Sequence, residues 1–178
     1  MKTQYEILMA GSGGQGLVSC GIILAEAAML EGRNVVQTQS YGIASRGGMS
    51  KSEVIISKEE IKFQQVQKAD ILLLLTQKAM DTYGKGQVAI PVIYDTTLIE
   101  EVRDQHYYGY PFTNLANELG NVGSANIIAL GVMAKLIGVV KPESLRETLN
   151  DKFSGKTETL NQKALAMGVE LAERRGAF

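Results

Sequence analysis

In the first 32 residues, a short apolar run is followed directly by a cluster of glycines and then by a helical pattern. Residues 5–10 are almost entirely apolar and stop at a glycine, which is typical of a buried parallel strand. From about Gly14 to Leu30, apolar and small residues recur at helical spacing, and Gly32 is placed to end that helix. A strand, a glycine turn and a helix in this order predict the first unit of an α/β fold.

The rest of the chain continues the alternation of strands and helices. Further strands are predicted at residues 34–39, 53–57, 70–75 and 88–95, and residues 105–110 are interpreted as a loop. Further helices are predicted at 77–83, at 112–119, at 125–137 with Ser124 as N-cap, from Pro142 onward, and at about 157–175. We therefore expect a single domain over residues 1–178 with an α/β fold, a three-layer α/β/α Rossmann-like sandwich with a mostly parallel sheet.

Composition narrows the classes of function. The 178 residues carry 18 Lys and Arg against 19 Asp and Glu, a net charge of −1, so nothing indicates a surface for nucleic acid or for an anionic membrane. The chain has neither an apolar run of membrane-spanning length nor the features of a signal peptide, so a cytoplasmic location is expected. The single cysteine, Cys20, excludes an internal disulfide and cannot ligate an iron–sulfur cluster by itself.

The first glycine cluster fits the pattern G-x-G-x-x-G at Gly11, Gly13 and Gly16. Such a turn brings bare backbone and a helix N-terminus to a phosphate. A dinucleotide site also needs an acidic residue at the end of the second strand, where this chain has Gln37-Thr38-Gln39, so an NAD enzyme is disfavoured. Two interpretations remain: glycines that allow close packing of the helix on the strand, and a turn that binds the phosphate of another ligand.

A second glycine-rich stretch, residues 37–48, lies between two β-branched runs and shows neither helical nor strand periodicity. It contains Tyr41 and Arg46, and its glycines supply backbone N–H groups that can approach a ligand closely. The guanidinium adds a rigid set of donors for phosphate or carboxylate. The stretch is interpreted as an anion-binding loop or the edge of a subunit interface, and alternatively as a plain hairpin with a solvated arginine.

Four isolated residues have ordinary structural explanations. Cys20 is expected to be a buried, unreactive thiol, and His106 has no second histidine or cysteine near it with which to form a metal site. Asp95 at a strand end is expected to cap a helix or stabilise a turn, and orientation of a ligand is the alternative. Asn126 lies on an apolar helix, where it either contacts a ligand or makes a hydrogen bond within the first helical turn.

Taken together, these motifs resemble the gamma subunit of the 2-oxoacid:ferredoxin oxidoreductases. The matching segments are residues 11–16, 39–42, 46–48 and 50–57, then Gly120-Asn121, Asn126, Leu130-Gly131, Leu160-Asn161, Lys163-Ala164 and Gly168. The Ser-Lys-Ser-Glu-Val segment is most similar to the 2-oxoglutarate type. The chain departs from the family at Ile43-Ala44, where Pro-Glu is common, so the rigidity of that loop and any role of the acid are in question.

The resemblance implies an enzyme that decarboxylates 2-oxoglutarate to succinyl-CoA, CO₂ and reduced ferredoxin. Thiamine diphosphate, Mg²⁺, iron–sulfur clusters and Coenzyme A serve the assembled complex, and none is expected to be bound by this chain alone. Implied partners are the alpha and beta subunits, with a delta subunit in some assemblies, and ferredoxin or flavodoxin; neither nucleic acid nor a membrane is expected. The alternatives are a branched-chain or pyruvate-type gamma subunit and a stand-alone Rossmann-like nucleotide-binding enzyme.

The predicted site has no catalytic or metal-ligating residue in this chain. Its members are expected to hold an anionic group at a subunit junction or on the approach of Coenzyme A or the substrate. They are Gly11, Gly13, Gly14, Gln15, Gly16, Tyr41, Gly42, Arg46, Gly47, Gly48 and Asn126.

Overall fold

The computed structural model describes residues 2–41, 48–87 and 89–175. The strands are β1 (Gln4–Ser12), β2 (Asn34–Tyr41), β3 (Met49–Ser57), β4 (Ile71–Leu74), β5 (Val92–Asp95) and β6 (Tyr107–Tyr110). The helices are α1 (Leu17–Leu30), α2 (Gln77–Ala79), α3 (Phe112–Glu118), α4 (Ala125–Ile137), α5 (Pro142–Lys152) and α6 (Gly155–Arg175). A π-helical turn, Met80–Gly84, continues α2, and a 3₁₀ turn, Val122–Ser124, precedes α4.

The six strands form one sheet in the order β2-β3-β1-β4-β5-β6. Strands β1, β4, β5 and β6 are parallel neighbours, whereas β3 pairs antiparallel with both β1 and β2. Only β3 runs against the others among the described strands, so the predicted α/β fold with a mostly parallel sheet is confirmed.

The two faces of the sheet are covered unequally. Side chains alternate along the strands: Ile7 and Met9 of β1 lie in the larger apolar cluster, and Leu8 and Ala10 in the smaller one. Buried residues of α1, α3, α4, α5 and α6 belong to the larger cluster. On the other face, α2 and the π-helical turn contribute Ala79 and Met80, so this third layer is thin. None of the helices in the described ranges has the length and apolar composition needed to cross a bilayer.

One prediction of local structure is wrong, and a second is confirmed in position only. Residues 105–110 were expected to form a loop, but Tyr107–Tyr110 is the edge strand β6, which pairs with β5. The four residues include Gly109 and follow a polar segment, so their composition does not predict a strand. The strand forms because it pairs with β5. Ser124 occupies the N-cap position of α4 without a side-chain cap; instead Asn121 Oδ1 accepts from Gly123 N–H at 3.0 Å one turn earlier.

Helices α4 and α6 cross at two glycines. A Cβ atom built on Gly168 would lie 2.0 Å from Ile128 O and 3.0 Å from Gly131 Cα. A Cβ on Gly131 would lie 2.4 Å from Leu165 O. Each contact is with backbone of the facing helix, so a larger residue can be accommodated only if the helices separate.

We expect Gly168→Ala to lower the free energy of unfolding by about 3 kcal/mol, because overpacking outweighs the helix propensity gained. Gly21→Ala in α1 is the matched control: its Cβ would meet the Ser52 side chain, which can give way at the cost of its hydrogen bond with Gln37, and not the backbone of a facing helix. Urea denaturation monitored by circular dichroism measures both. Equal losses for the two variants would contradict the assigned role of the crossing.

Candidate functional site

The first glycine cluster lies at the carboxyl end of β1, between the strand and α1. Gly11 is still within β1, and the turn itself comprises residues 13–16 before α1 begins at Leu17. The turn is therefore shorter than the sequence pattern indicated. Because β1, β4 and β5 are parallel, their carboxyl ends lie along the same edge of the sheet, where open α/β sheets bind their ligands.

Gln15 fastens this turn to the neighbouring strand. Its Oε1 accepts from Ser12 N–H at 2.7 Å, and its Nε2 donates to Leu75 O at 3.1 Å, just past the end of β4. A Cβ on Gly11 would lie 2.3 Å from Gln15 Oε1, so Gly11 leaves the space that the amide occupies. The Gln15 side chain thus occupies the Ser12 N–H, which is not available to a ligand.

Asn126 holds the same turn from the opposite side. Its Nδ2 donates to Gln15 O at 3.2 Å and to Gly16 O at 3.1 Å, which are 111 and 110 residues away in sequence. Gly16 has φ +70°, and a Cβ there would lie 2.3 Å from Asn126 Nδ2, so a glycine is required both for conformation and for space. Asn126 Oδ1 is buried and has no hydrogen-bond partner among the described residues. A contact of this oxygen with a ligand stays a prediction.

A backbone hydrogen bond connects the two glycine-rich segments. Gly13 N–H donates to Gly48 O at 3.0 Å, which places the end of the second segment beside the first turn. Tyr41 ends β2 with 64% of its surface exposed. The remaining predicted residues of that segment, Gly42, Arg46 and Gly47, lie outside the described residues, so their role stays a prediction.

A cavity of about 160 Å³ opens beside the first turn. Its lining comes from the turn, from the ends of β4 and β5, and from the starts of α3 and α4: Gly14, Gln15, Leu75, Asp95, Leu98, Thr113, Val122, Gly123 and Ala125. The first turn of α1 carries no side-chain cap, whereas the 3₁₀ turn that leads into α4 is capped by Asn121 Oδ1.

Asp95 is buried at the end of β5, and its carboxylate is fully engaged. Oδ1 accepts from Thr97 N–H at 3.0 Å, and Oδ2 accepts from Thr113 N–H at 3.1 Å and from the Thr113 hydroxyl at 2.5 Å. It thereby caps α3, as expected from sequence. No lysine or arginine is among the described lining residues, and the lining combines the Asp95 carboxylate with apolar side chains of Leu75, Leu98 and Val122. A cavity of about 160 Å³ has room only for a small group.

Cys20 is buried in α1, 3.8 Å from Asn126 O, and burial raises the pKa of its thiol to about 12. A thiol that stays protonated at neutral pH is a poor metal ligand. No group of three His, Cys, Asp or Glu side chains suited to a metal occurs in the described ranges. With a single cysteine in the chain, these residues do not fit an iron–sulfur cluster.

Sequence reasoning missed the part of the cavity formed by Thr113 and Gly123. Thr113 reaches the cavity because β6 delivers α3 to the carboxyl edge of the sheet, and β6 had been interpreted as a loop. The available signal was Asp95 at the end of a strand, because an aspartate there readily accepts hydrogen bonds from backbone N–H groups, here that of Thr113.

We expect Asn126→Asp to lower the free energy of unfolding by about 2–4 kcal/mol, because a carboxylate cannot donate to Gln15 O and Gly16 O and would repel both. Asn121→Asp is the matched control, since Asn121 serves as an acceptor for Gly123 N–H and a carboxylate preserves that bond. Thermal melts of the two variants at pH 7 provide the comparison. A loss at Asn121 as large as that at Asn126 would contradict the donor role of Asn126.

Comparison with known proteins agrees with this architecture. A family model described as pyruvate ferredoxin/flavodoxin oxidoreductase matches residues 6–171. The 2-oxoglutarate synthase subunit KorC of Methanocaldococcus jannaschii is 40% identical over 181 residues, covering 97% of this chain and 96% of the relative.

Two solved structures have the same fold. The gamma subunit of a keto/oxoacid ferredoxin oxidoreductase from Geobacter sulfurreducens superimposes with a TM-score of 0.81 at 39% identity, covering 96% of this chain and 99% of that one. The 2-oxoglutarate:ferredoxin oxidoreductase of Magnetococcus marinus, solved with 2-oxoglutarate, coenzyme A and succinyl-CoA, gives 0.86 at 25% identity over 98% of this chain and 32% of that one. This chain belongs to the pyruvate ferredoxin/flavodoxin oxidoreductase family.

Proposed function

We propose that this chain is the gamma subunit of a 2-oxoglutarate:ferredoxin oxidoreductase. The observation that carries the proposal is 40% identity over nearly the whole chain to a 2-oxoglutarate synthase subunit. The assembled enzyme then converts 2-oxoglutarate and Coenzyme A to succinyl-CoA and CO₂, and passes two electrons to ferredoxin or flavodoxin.

The chain works in this proposal together with alpha and beta subunits, and with a delta subunit where the assembly has one. The iron–sulfur clusters belong to those other subunits in this proposal, because a single cysteine does not fit a cluster, and thiamine diphosphate and Mg²⁺ are assigned to the same subunits. The chain's own contribution is to bind and orient, and its described side chains perform no proton or electron transfer in the reaction.

The binding role is assigned to the corner where the two glycine-rich segments meet. The hydrogen bond from Gly13 N–H to Gly48 O supports a location of the second segment beside the cavity. Arg46 and the N–H groups of Gly47 and Gly48 are proposed to hold an anionic group of Coenzyme A or of the oxoacid. Pockets that enclose a whole ligand of that size measure roughly 300 Å³ or more, so other subunits must supply the remaining walls.

Purification of the native assembly tests the subunit assignment. We expect the chain to copurify with larger subunits, and 2-oxoglutarate to support CoA-dependent reduction of a low-potential acceptor by the complex. Pyruvate and branched-chain oxoacids serve as control substrates. Preferential use of either control, or full activity of this chain alone, would contradict the assignment.

The contribution of Arg46 is tested by Arg46→Ala in the reconstituted complex. We expect the KM for Coenzyme A or the oxoacid to rise several-fold, roughly five- to tenfold, because a charge-assisted contact is lost. Arg33→Ala is the control, since it removes the same charge at the opposite end of β2. Both variants should fold as the natural chain does by circular dichroism. Unchanged kinetics for Arg46→Ala would exclude this role and leave the subunit assignment intact.

A further inference from the structure

The two edges of the sheet differ in how they meet solvent. At the β6 edge, the Arg175 guanidinium donates to Gly109 O at 3.3 Å and to Tyr107 O at 3.5 Å. It also lies over the rings of Tyr108 and Tyr110, at 5.1 and 5.5 Å from their centres. The end of α6 thus covers the free carbonyls of β6, which is a common way to prevent pairing at an edge.

At the opposite edge, β2 pairs with β3 only, within the part of the chain that the structure describes. Its sequence, NVVQTQSY, contains no charged residue and no proline. Charges, prolines and bulges are the usual means by which proteins protect an edge strand, and an eight-residue strand that lacks charge and proline is a template for pairing with another chain.

Successive residues of a strand direct their backbone N–H and C=O groups to opposite sides in alternation, and this alternation identifies the residues of β2 whose groups point away from β3. The bonds from Lys58 N–H to Thr3 O and from Gly13 N–H to Gly48 O show that even-numbered residues of β3 bond to β1. Odd-numbered residues of β3 therefore bond to β2, and their partners in register are the even-numbered residues of β2. The residues of β2 left with outward N–H and C=O groups are Val35, Gln37, Gln39 and Tyr41.

We propose that β2 pairs antiparallel with β2 of a second copy of this chain, about a twofold axis at Thr38. In this register Val35 faces the partner's Tyr41 and Gln37 faces the partner's Gln39, so all four outward residues are hydrogen-bonded. The two Thr38 residues form the non-hydrogen-bonded pair on the axis. The result is a continuous twelve-stranded sheet, twice the six strands of one chain.

The chemistry of the strand favours a second copy as the occupant. With no charged side chain from Asn34 to Tyr41, a twofold axis brings no like charges together. The exposed ring of Tyr41 gains a β-branched neighbour in Val35, and threonine faces threonine; both are favourable cross-strand pairs. These features are self-complementary, and they stand independently of the proposed function.

Sedimentation of the full-length chain tests the proposal through one backbone donor. We expect the natural chain to be a dimer, and Gln39→Pro to raise the dissociation constant at least about tenfold, because the outward N–H is lost. Gln39→Ala is the matched control: it keeps that N–H and should remain dimeric. Thermal melts verify that both variants fold. A monomeric natural chain, or equal dimerisation of Gln39→Pro, would overturn the proposal and leave the proposed function unaffected.

Cross-linking tests the register. Thr38→Cys places two thiols on the axis, in a pair whose Cα atoms are about 4.5 Å apart, and should form an intermolecular disulfide under mild oxidation. Thr159→Cys, on the exposed side of α6, is the control, and buried Cys20 provides no reactive background. A dimer that Thr38→Cys cross-links no better than Thr159→Cys would exclude the twofold axis at this residue.

Discussion

The hydrogen bonds that hold the first glycine turn are the constraint on which the candidate site depends. Asn126 donates to two of its carbonyls from α4, and Gln15 ties it to the end of β4. Residues distant in sequence therefore control the path of four residues between β1 and α1. A short peptide turn with bare backbone would sample many conformations, and these contacts select one of them. The direction in which α1 presents its N-terminal N–H groups follows from that selection.

The glycines of the chain serve different purposes, although they look alike in the sequence. Gly16 is required by its positive φ and by the amide of Asn126, whereas Gly131 and Gly168 allow two helix backbones to touch. The close α4–α6 crossing keeps α4 in place, and α4 carries Asn126. Helix packing on one face of the sheet is thus connected to the geometry of the turn at its carboxyl edge.

The candidate site is small, and in the proposed function neighbouring chains complete it. Its cavity of about 160 Å³ lies among helix ends, and the carboxylate within it already has its hydrogen-bond donors. The chain therefore offers a preformed corner and not a closed pocket. The sheet shows a similar asymmetry: Arg175 covers one edge, and at the other edge β2 pairs with β3 only, among the residues that the structure describes. Both features suit a protein that functions by contact with other chains.

The sequence alone determined the fold class, the order of most elements and the family resemblance. Apolar runs that stop at glycines, and helical spacing of small residues, are local signals with a local physical cause. They therefore predict β1, α1, α4 and α5 correctly. The order of the motifs along the chain indicated the family. The roles of Cys20 and Asp95 also followed from residue type and position.

Only the tertiary structure decided which residues meet. Strand β6 forms because β5 offers it hydrogen bonds, and no local pattern in its four residues reveals that partner. The Asn126 amide that donates to the turn, and the cavity walls from Thr113 and Gly123, come from segments about a hundred residues away along the chain. Contacts of that kind arise from the packing of whole elements, whereas sequence periodicity reports only which side of an element is apolar.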